Sequence, residues 1–301
     1  MKVTNVMGLP QAFVDAVSVE RHNEKGCYSA TTLLHSATDT LLTERHWEEI
    51  EVDASDSVWA VWGTAVHSIF EKQQDNAFKE EKFSVKVGNS TVTGRVDNYD
   101  MENEILADFK TCASWKIIYK DFDDWYKQGM IYAWLMKQSG LKVKRCQFIA
   151  LIKDHSKSKA KTDASYPQSP VYVYQFDITD SALAEIETFI KTRIADLEAN
   201  ENTPDNELKG CTPEERWSKG DSWAIMRTGR KTALKVCKSE EEANALLKEL
   251  GGDSIEFRKG EDVRCESYCN VCKWCPYYQK QKVLKPFIIG LCRTDIQITC
   301  Q

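Results

Sequence analysis

The spacing of apolar residues divides the chain into helical and extended stretches. From Tyr28 to Arg45, apolar residues fall three, four, seven and eight positions apart, which predicts an amphipathic helix. The acidic stretch 48–56 is predicted to be a loop, and a second helix is predicted over residues 58–78. The residues expected on the buried side of this second helix are Val58, Val61, Trp62, Ala65, Val66, Ile69 and Phe70.

After Lys82 the apolar period changes to two, which is typical of β-strands. The segments FSVKV and TVTGRVD flank a Gly88-Asn89 turn and predict a β-hairpin, and EILADFK predicts a third strand. A helix over 123–139, strands in CQFIALI and VYVYQFDI, and a helix over 179–200 follow. This order predicts an α/β fold with a mixed central sheet flanked by helices.

The composition changes near residue 202, where a polar stretch containing two prolines resembles a linker. We therefore predict a core over 1–202, an accessory region over 203–285 and an irregular tail over 286–301. The accessory region is expected to contain a strand in WAIMR, a helix over 239–250, a strand in SIEFR and a cluster of cysteines.

The overall composition is that of a globular protein. The chain has 301 residues, of which 42% are hydrophobic and 29% charged, so collagen-like, coiled-coil and wholly disordered classes are excluded. The net charge of −6 argues against a general nucleic-acid coat but permits a local basic groove. No apolar run reaches the roughly 18–20 residues of a membrane span, and the N-terminal residues lack the pattern of a secretory signal. A cytoplasmic protein without a membrane partner is expected.

Polar side chains with metal-binding chemistry lie on neighbouring predicted elements. His67 is on the second helix, Asp97 ends one strand, and Asp108 and Lys110 end the next. Two carboxylates and an imidazole at adjacent strand ends predict a site for a hard divalent cation such as Mg²⁺ or Mn²⁺. Lys110 is two residues from Asp108 and therefore faces the same side of its strand, where an ammonium offsets negative charge on a phosphate.

Four short motifs in this region resemble those of the PD-(D/E)XK nuclease superfamily. They are GTAVH (63–67), GRVD (94–97), DFK (108–110) and QGMIY (128–132), and the resemblance spans about residues 28–152. Within the superfamily, the chain looks most similar to the RecB-type and CRISPR-associated-exonuclease-like branch, which phages often encode. The resemblance implies a restriction-endonuclease-like core with a C-terminal cysteine-rich metal-cluster region.

The resemblance also implies a role for each matching residue. His67, Asp97 and Asp108 would be ligands of Mg²⁺ or Mn²⁺ together with the backbone carbonyl of Phe109, and Lys110 would be the catalytic lysine. Asp stands in the acidic slot of the D-x-K motif, where Glu is commoner in the family. Both residue types can bind a divalent cation.

Three further side chains could support this site. By the resemblance, Gln128 and Tyr132 would steady the active site and the DNA strand, since they lie four residues apart on one face of a helix. Glu71 lies one turn after His67, where it is equally well interpreted as an extra helix carboxylate or as an ordinary exposed glutamate.

Four of the eleven cysteines fall within eleven consecutive residues, and they are Cys265, Cys269, Cys272 and Cys275. In a reducing compartment this spacing predicts either a four-thiolate zinc site or three ligands of an iron–sulfur cluster joined by a remote cysteine. The resembled exonucleases hold a [4Fe-4S] cluster with three C-terminal cysteines and one remote one, for which Cys27 and Cys211 are the candidates. Related phage sequences favour Cys211 with Cys265, Cys269 and Cys275, with Cys272 as the alternative ligand.

Two groups of lysines are candidate phosphate contacts. One group lies in a predicted loop after the fourth core strand, and the other follows the DFK motif among aromatic residues. A run of charges is also what a solvated loop contains. The candidates are Lys116, Lys120, Lys153, Lys157 and Lys159.

Together, these features predict a metal-dependent DNA exonuclease that acts at DNA ends or single-stranded tails in phage recombination or repair, inside a bacterial host cell. A recombinase or annealing protein is the partner that this context implies. The alternatives are a structure-specific endonuclease of the same fold and a non-catalytic, zinc-containing nucleic-acid-binding protein.

Overall fold

The chain divides into two units, the first being Met1–Thr203 and the second beginning at Pro204. A six-stranded mixed sheet forms the centre of the first unit. The computed structural model describes residues 1–18, 24–72 and 77–284. The predicted tail, residues 286–301, lies outside these ranges. Within them, no helix is long and apolar enough to cross a membrane.

The strands of the first unit confirm the predicted hairpin, the third strand and the two strands after it. In chain order they are β1 (Lys2–Thr4), β2 (Cys27–Ser29), β3 (Glu51–Asp53), β4 (Ala77–Val87), β5 (Ser90–Asp100), β6 (Ile105–Cys112), β7 (Arg145–Ile152) and β8 (Val171–Asp177). The main sheet has the order β2-β5-β6-β7-β8, with β4 paired to β5. β2 and β5 run parallel, as do β6 and β7, and the other pairs are antiparallel.

Helices flank this sheet. They are α1 (Gln11–Val17), α2 (Ala30–Leu33), α3 (Ala37–Arg45), α4 (Val58–Glu71), α5 (Ser114–Ile118), α6 (Asp123–Gln138), α7 (Lys157–Thr162) and α8 (Asp180–Asn200). α6 packs closely on the sheet, because a Cβ atom at Gly129 would lie 2.6 Å from the Cys146 sulfur. The apolar positions of α8 are buried as their spacing predicts, from Leu183 to Leu197.

The N-terminal helices differ from the prediction. The expected single helix over 28–45 is two helices, because the Ser36 side chain accepts a hydrogen bond from the Asp39 amide and starts a new helix. Tyr28 belongs to β2, and the expected loop over 48–56 contains β3, which pairs in parallel with β1. A three-residue strand has too few positions to show a period.

The second predicted helix is too long, and its buried side is partly wrong. α4 ends at Glu71, and β4 begins at Ala77. Val66 is buried, whereas Val58, Trp62 and Ile69 are 37%, 51% and 58% exposed. Apolar residues occur around most of this helix, so their spacing does not identify the flank that contacts the sheet.

The second unit is built around a small antiparallel sheet of order β11-β10-β12. Its elements are β9 (Ser218–Lys219), β10 (Ser222–Met226), β11 (Lys235–Cys237), β12 (Ser254–Arg258), β13 (Glu261–Asp262), α9 (Glu240–Leu247), α10 (Val263–Ser267) and α11 (Pro276–Leu284). Ile225, Cys237 and Ala243 form its buried centre. The predicted strands in WAIMR and SIEFR and the predicted helix between them are confirmed, with shifted ends.

Candidate metal centre

The two predicted acids come together where β5 and β6 separate. The last recorded pair between these strands is Asn98 with Ala107, so Asp97 and Asp108 are the next positions on each strand. Asp97 Oδ2 accepts a hydrogen bond of 2.8 Å from the Phe109 amide. A side chain thus replaces the backbone partner that this amide would have in a continuous ladder.

Asp108 is the buried acid of the site, with 2% of its surface exposed. Its Oδ1 atom lies 2.5 Å from Lys110 Nζ and forms an ion pair with it. Burial raises the pKa of Asp108 to about 6; the Lys110 charge opposes the rise, and Asp97 adds to it. A bound cation would lower this pKa, because a nearby positive charge favours the ionised carboxylate.

His67 reaches the acids from α4. Phe70, one turn further on, stacks on Phe109 with ring centroids 4.1 Å apart, which anchors the helix on β6. His67 Nδ1 lies 3.1 Å from Asp97 Oδ2. The hydrogen bond to Asp97 is the largest cause of the raised pKa of His67, and burial opposes it.

Glu80 belongs to this group, and the sequence analysis missed it. Ligand atoms of His67, Glu80 and Asp97 all lie within 4.8 Å of one another. Glu80 faces Asp97 across the hairpin, since the flanking pairs are Lys79 with Asn98 and Glu81 with Val96. The backbone of Glu80 has φ 51°, a left-handed conformation that is uncommon for residues other than glycine.

The signal for Glu80 was present in the sequence. The Gly88-Asn89 turn fixes the hairpin register and places position 80 opposite position 97. Because the predicted helix continues to residue 78, the strand that pairs position 80 with position 97 is not predicted to begin before residue 83. Glu71 is an exposed residue at the end of α4. Burial is the main cause of the raised pKa of Glu80, and the charges of Asp97 and Glu71 add to it.

Gln128 and Tyr132 lie on α6, next to the acids. Gln128 Nε2 donates a 2.8 Å hydrogen bond to the Tyr132 hydroxyl, and both residues are buried. Burial is the main cause of the raised pKa of Tyr132, and the charge of Asp108 adds to it. Gly94 allows this approach, because a Cβ atom there would lie 2.8 Å from the Tyr132 ring.

The donor set fits a hard divalent cation. It combines the carboxylates of Glu80 and Asp97 with the imidazole of His67, and Asp108 lies outside this group at the position of β6 next to Asp97. Carboxylate oxygens suit Mg²⁺ or Mn²⁺, an imidazole suits transition metals, and softer metals prefer sulfur. The Lys110 ammonium adds positive charge at one edge of this group.

The five candidate lysines occupy different environments. Lys116 is covered, because its ammonium lies 2.9 Å from Asp124 and 12% of its side chain is exposed. Lys120 sits in a turn with φ 53°, and Lys153 Nζ lies 3.5 Å from the centre of the Trp59 ring. Lys157 and Lys159 lie in α7, so the predicted loop contains a helix, which Ser156 caps.

Cys211 and the clustered cysteines lie in the second unit, whereas Cys27 is in β2 of the first. Cys265, Cys272 and Cys275 are buried, and Cys211 and Cys269 are partly exposed. Burial raises the pKa of Cys265 to about 12, with further contributions from nearby Cys211, Asp262 and Cys275. Cys211 and Cys275 are thus close enough to Cys265 for their charges to raise its pKa, although a group of three or more ligand atoms within 4.8 Å of one another is found only for His67, Glu80 and Asp97 among the described residues.

No family model matches the chain, and no curated protein matches it significantly. Among solved structures, it is similar to the protein SSO0001, with 17% identity and a TM-score of 0.42 over 68% of this chain and 91% of that one. It is also similar to an alkaline exonuclease from Laribacter hongkongensis, with 14% identity and a TM-score of 0.38 over 64% of this chain and 93% of that one. A third similar structure is a phage-related exonuclease from Haemophilus somnus, with 12% identity and a TM-score of 0.29 over 54% of this chain and 73% of that one. A similar fold does not by itself establish that two proteins share an activity.

Proposed function

We propose that this protein is a metal-dependent nuclease that hydrolyses phosphodiester bonds at DNA ends. The observation that carries the proposal is the convergence of Asp97 and the buried Asp108 at adjacent positions of β5 and β6, with Lys110 Nζ 2.5 Å from Asp108. Paired acids and a lysine on adjacent strands have little structural use, because burying them costs folding free energy.

Each side chain has a defined task in this hydrolysis. Asp97, Asp108, Glu80 and His67 would hold Mg²⁺ or Mn²⁺, which when bound polarises a phosphoryl oxygen and lowers the pKa of a water molecule. The Lys110 ammonium orients the attacking water and offsets the negative charge that develops on the phosphate. The Phe109 amide fixes the Asp97 carboxylate in place, so the acid needs little rearrangement.

DNA as substrate is supported by the basic residues near the strand ends. Lys153 follows β7, and its amide donates to the carbonyl of Cys112 at the end of β6. Lys157 and Lys159 continue from there on α7. Ammonium groups in such a position bind phosphates without reading sequence. Action at ends, a phage role in recombination or repair, and a recombinase or annealing partner are parts of the proposal that rest on the motif resemblance.

We further propose that Cys211, Cys265, Cys269 and Cys275 hold a [4Fe-4S] cluster, with zinc and Cys272 as the alternatives. The burial of Cys265 and Cys275 and the nearness of Cys211 to Cys265 support this set. The Arg216 side chain donates to the Cys211 carbonyl and lies 3.2 Å from Asp262, which ties the remote cysteine to the start of α10.

Digestion of end-labelled linear DNA and of closed circular DNA, each with Mg²⁺ or Mn²⁺, tests the nuclease. We expect the linear DNA to be degraded and the circle to remain intact. Asp108→Ala should abolish degradation, while Glu81→Ala, a change at an exposed neighbour on β4, should not. Cleaved circles would favour the endonuclease, and full activity of Asp108→Ala would refute the site.

A further inference from the structure

Trp217 occupies a backbone position that usually belongs to glycine. The turn before β9 ends in a Schellman motif, in which the Ser218 amide donates to the Pro213 carbonyl at 2.9 Å and the Trp217 amide to the Glu214 carbonyl at 3.0 Å. The residue between these bonds must adopt a left-handed conformation, and Trp217 has φ 52°. Glycine would adopt it without steric cost, so folding alone does not explain a bulky residue here.

Burial of the indole does not offset this strain. Trp217 is 52% exposed, and the ring it contacts, that of Tyr268, is 60% exposed. The two ring centroids lie 5.3 Å apart at 56°, so the tyrosine supports the indole from one side. The strained turn thus presents an aromatic surface to solvent, and backbone strain of this kind is typical of functional positions.

The surroundings of the two rings are polar. Ser218, Lys219, Ser267 and Asn270 are all exposed. The Lys219 side chain is 69% exposed and lies 2.8 Å from Glu261. Two rings within a polar surface are too small an apolar patch for a stable protein interface. An aromatic platform next to a lysine is the combination that holds one base of a nucleic-acid strand.

We propose that Trp217 and Tyr268, in the second unit, form a stacking site for an unpaired base of single-stranded DNA. The choice of DNA rests on the proposed nuclease function. Paired bases are stacked on their neighbours and do not offer a free face, so the site selects unpaired strands. This site gives the second unit a direct role in holding substrate.

Binding of the full-length protein to labelled oligothymidylate tests the proposal, measured by fluorescence anisotropy in EDTA to prevent hydrolysis. Trp217→Ala and Tyr268→Ala should weaken binding roughly 5- to 150-fold, the usual effect of removing one stacking partner. Trp217→Gly should weaken it equally, and this variant suits the left-handed backbone, so misfolding cannot explain the loss. Trp62→Ala removes an indole with a similar exposure, 51%, and should leave the affinity unchanged.

Three results would overturn the proposal: unchanged affinity in Trp217→Gly, an equal loss in Trp62→Ala, or a loss seen with a single-stranded RNA probe and absent with DNA. Blunt duplex DNA should show little change in any variant. Because the measurement excludes divalent metal, it is independent of catalysis. Unchanged binding together with Asp108-dependent cleavage would refute the stacking site and leave the nuclease proposal standing. Weakened binding together with cleavage that does not depend on Asp108 would support the stacking site and refute the proposed nuclease site.

Discussion

The two candidate metal sites of this chain differ in what holds their ligands in place. The acids of the first unit lie on β4, β5 and β6, whose backbone pairs fix their positions independently of any ion. In the second unit, Cys265 lies in α10, which has five residues. Cys269, Cys272 and Cys275 lie in the turns that follow, where the Cys275 amide donates to the Cys272 carbonyl at 3.2 Å, and Cys211 lies before β9.

This difference predicts that loss of metal destabilises the two units for different reasons. A preformed acid site places like charges close together, so without a cation it destabilises the fold. A cysteine site in short elements gains its order from the metal, because binding free energy there is also folding free energy. Three measurements test this contrast.

The largest effect is expected from Cys265→Ser. Purified protein should lose its iron or zinc, and amides of the second unit should exchange with deuterium far faster, because several kcal/mol of stabilisation are lost. Amides of β5 to β7 in the first unit should remain protected. Metal analysis and hydrogen exchange measure both. Cys272→Ser is the matched control and should retain its metal; metal retained in Cys265→Ser would contradict the contrast.

The second effect concerns the pH dependence of the metal-free protein. Asp108 has a folded pKa of about 6 against 3.8 in a model peptide, so the folded state binds more protons than the unfolded state between these values. Stability should therefore fall as pH rises through this window, by up to about 3 kcal/mol.

Urea unfolding in EDTA at several pH values measures the fall. Asp108→Asn should remove most of it and be more stable than the wild type at neutral pH, whereas Glu81→Gln should follow the wild type. Added Mg²⁺ should restore stability to the wild type and do less for the Asn variant. The same change of stability with pH in the wild type and in Asp108→Asn would show that ionisation of Asp108 does not destabilise the fold.

The smallest effect is expected at Glu80. Glu80→Gln removes one negative ligand and should weaken Mn²⁺ binding roughly tenfold, measured by calorimetry. Glu80→Gly should weaken it as well, yet raise metal-free stability by up to about 1 kcal/mol, because glycine relieves the left-handed backbone. Glu81→Gln should match the wild type. Unchanged Mn²⁺ affinity in both Glu80 variants would exclude Glu80 from the site.

Sequence reasoning placed the predicted acids and Lys110 on strands, because period-two patterns and the D-x-K spacing place side chains on a known face of a strand. Asp97, Asp108 and Lys110 lie on the predicted strands. Glu80 was missed for a physical reason: the end of an apolar helix and the start of a strand look alike in a pattern of apolar residues.

Local sequence was least informative where tertiary contacts decide. The pattern of Lys116 among aromatic residues predicts a phosphate contact, but its partner Asp124 lies on the next helix, α6, after the turn that ends α5. The strain at Trp217 is likewise invisible in sequence, since only the backbone shows that the residue ends a Schellman motif.

The separation of β5 from its neighbours acts as a fork in the sheet. β2 pairs with residues 91–93 of β5 and β6 with residues 98–100, so that residues 94–97 have no partner among the described strands on that edge. The Phe109 amide therefore relies on the Asp97 side chain. Removing that carboxylate also removes the hydrogen bond that holds the Phe109 amide, so a substitution at position 97 would change the backbone structure as well as the metal ligands. A catalytically silent protein for trapping substrate should be made at Asp108.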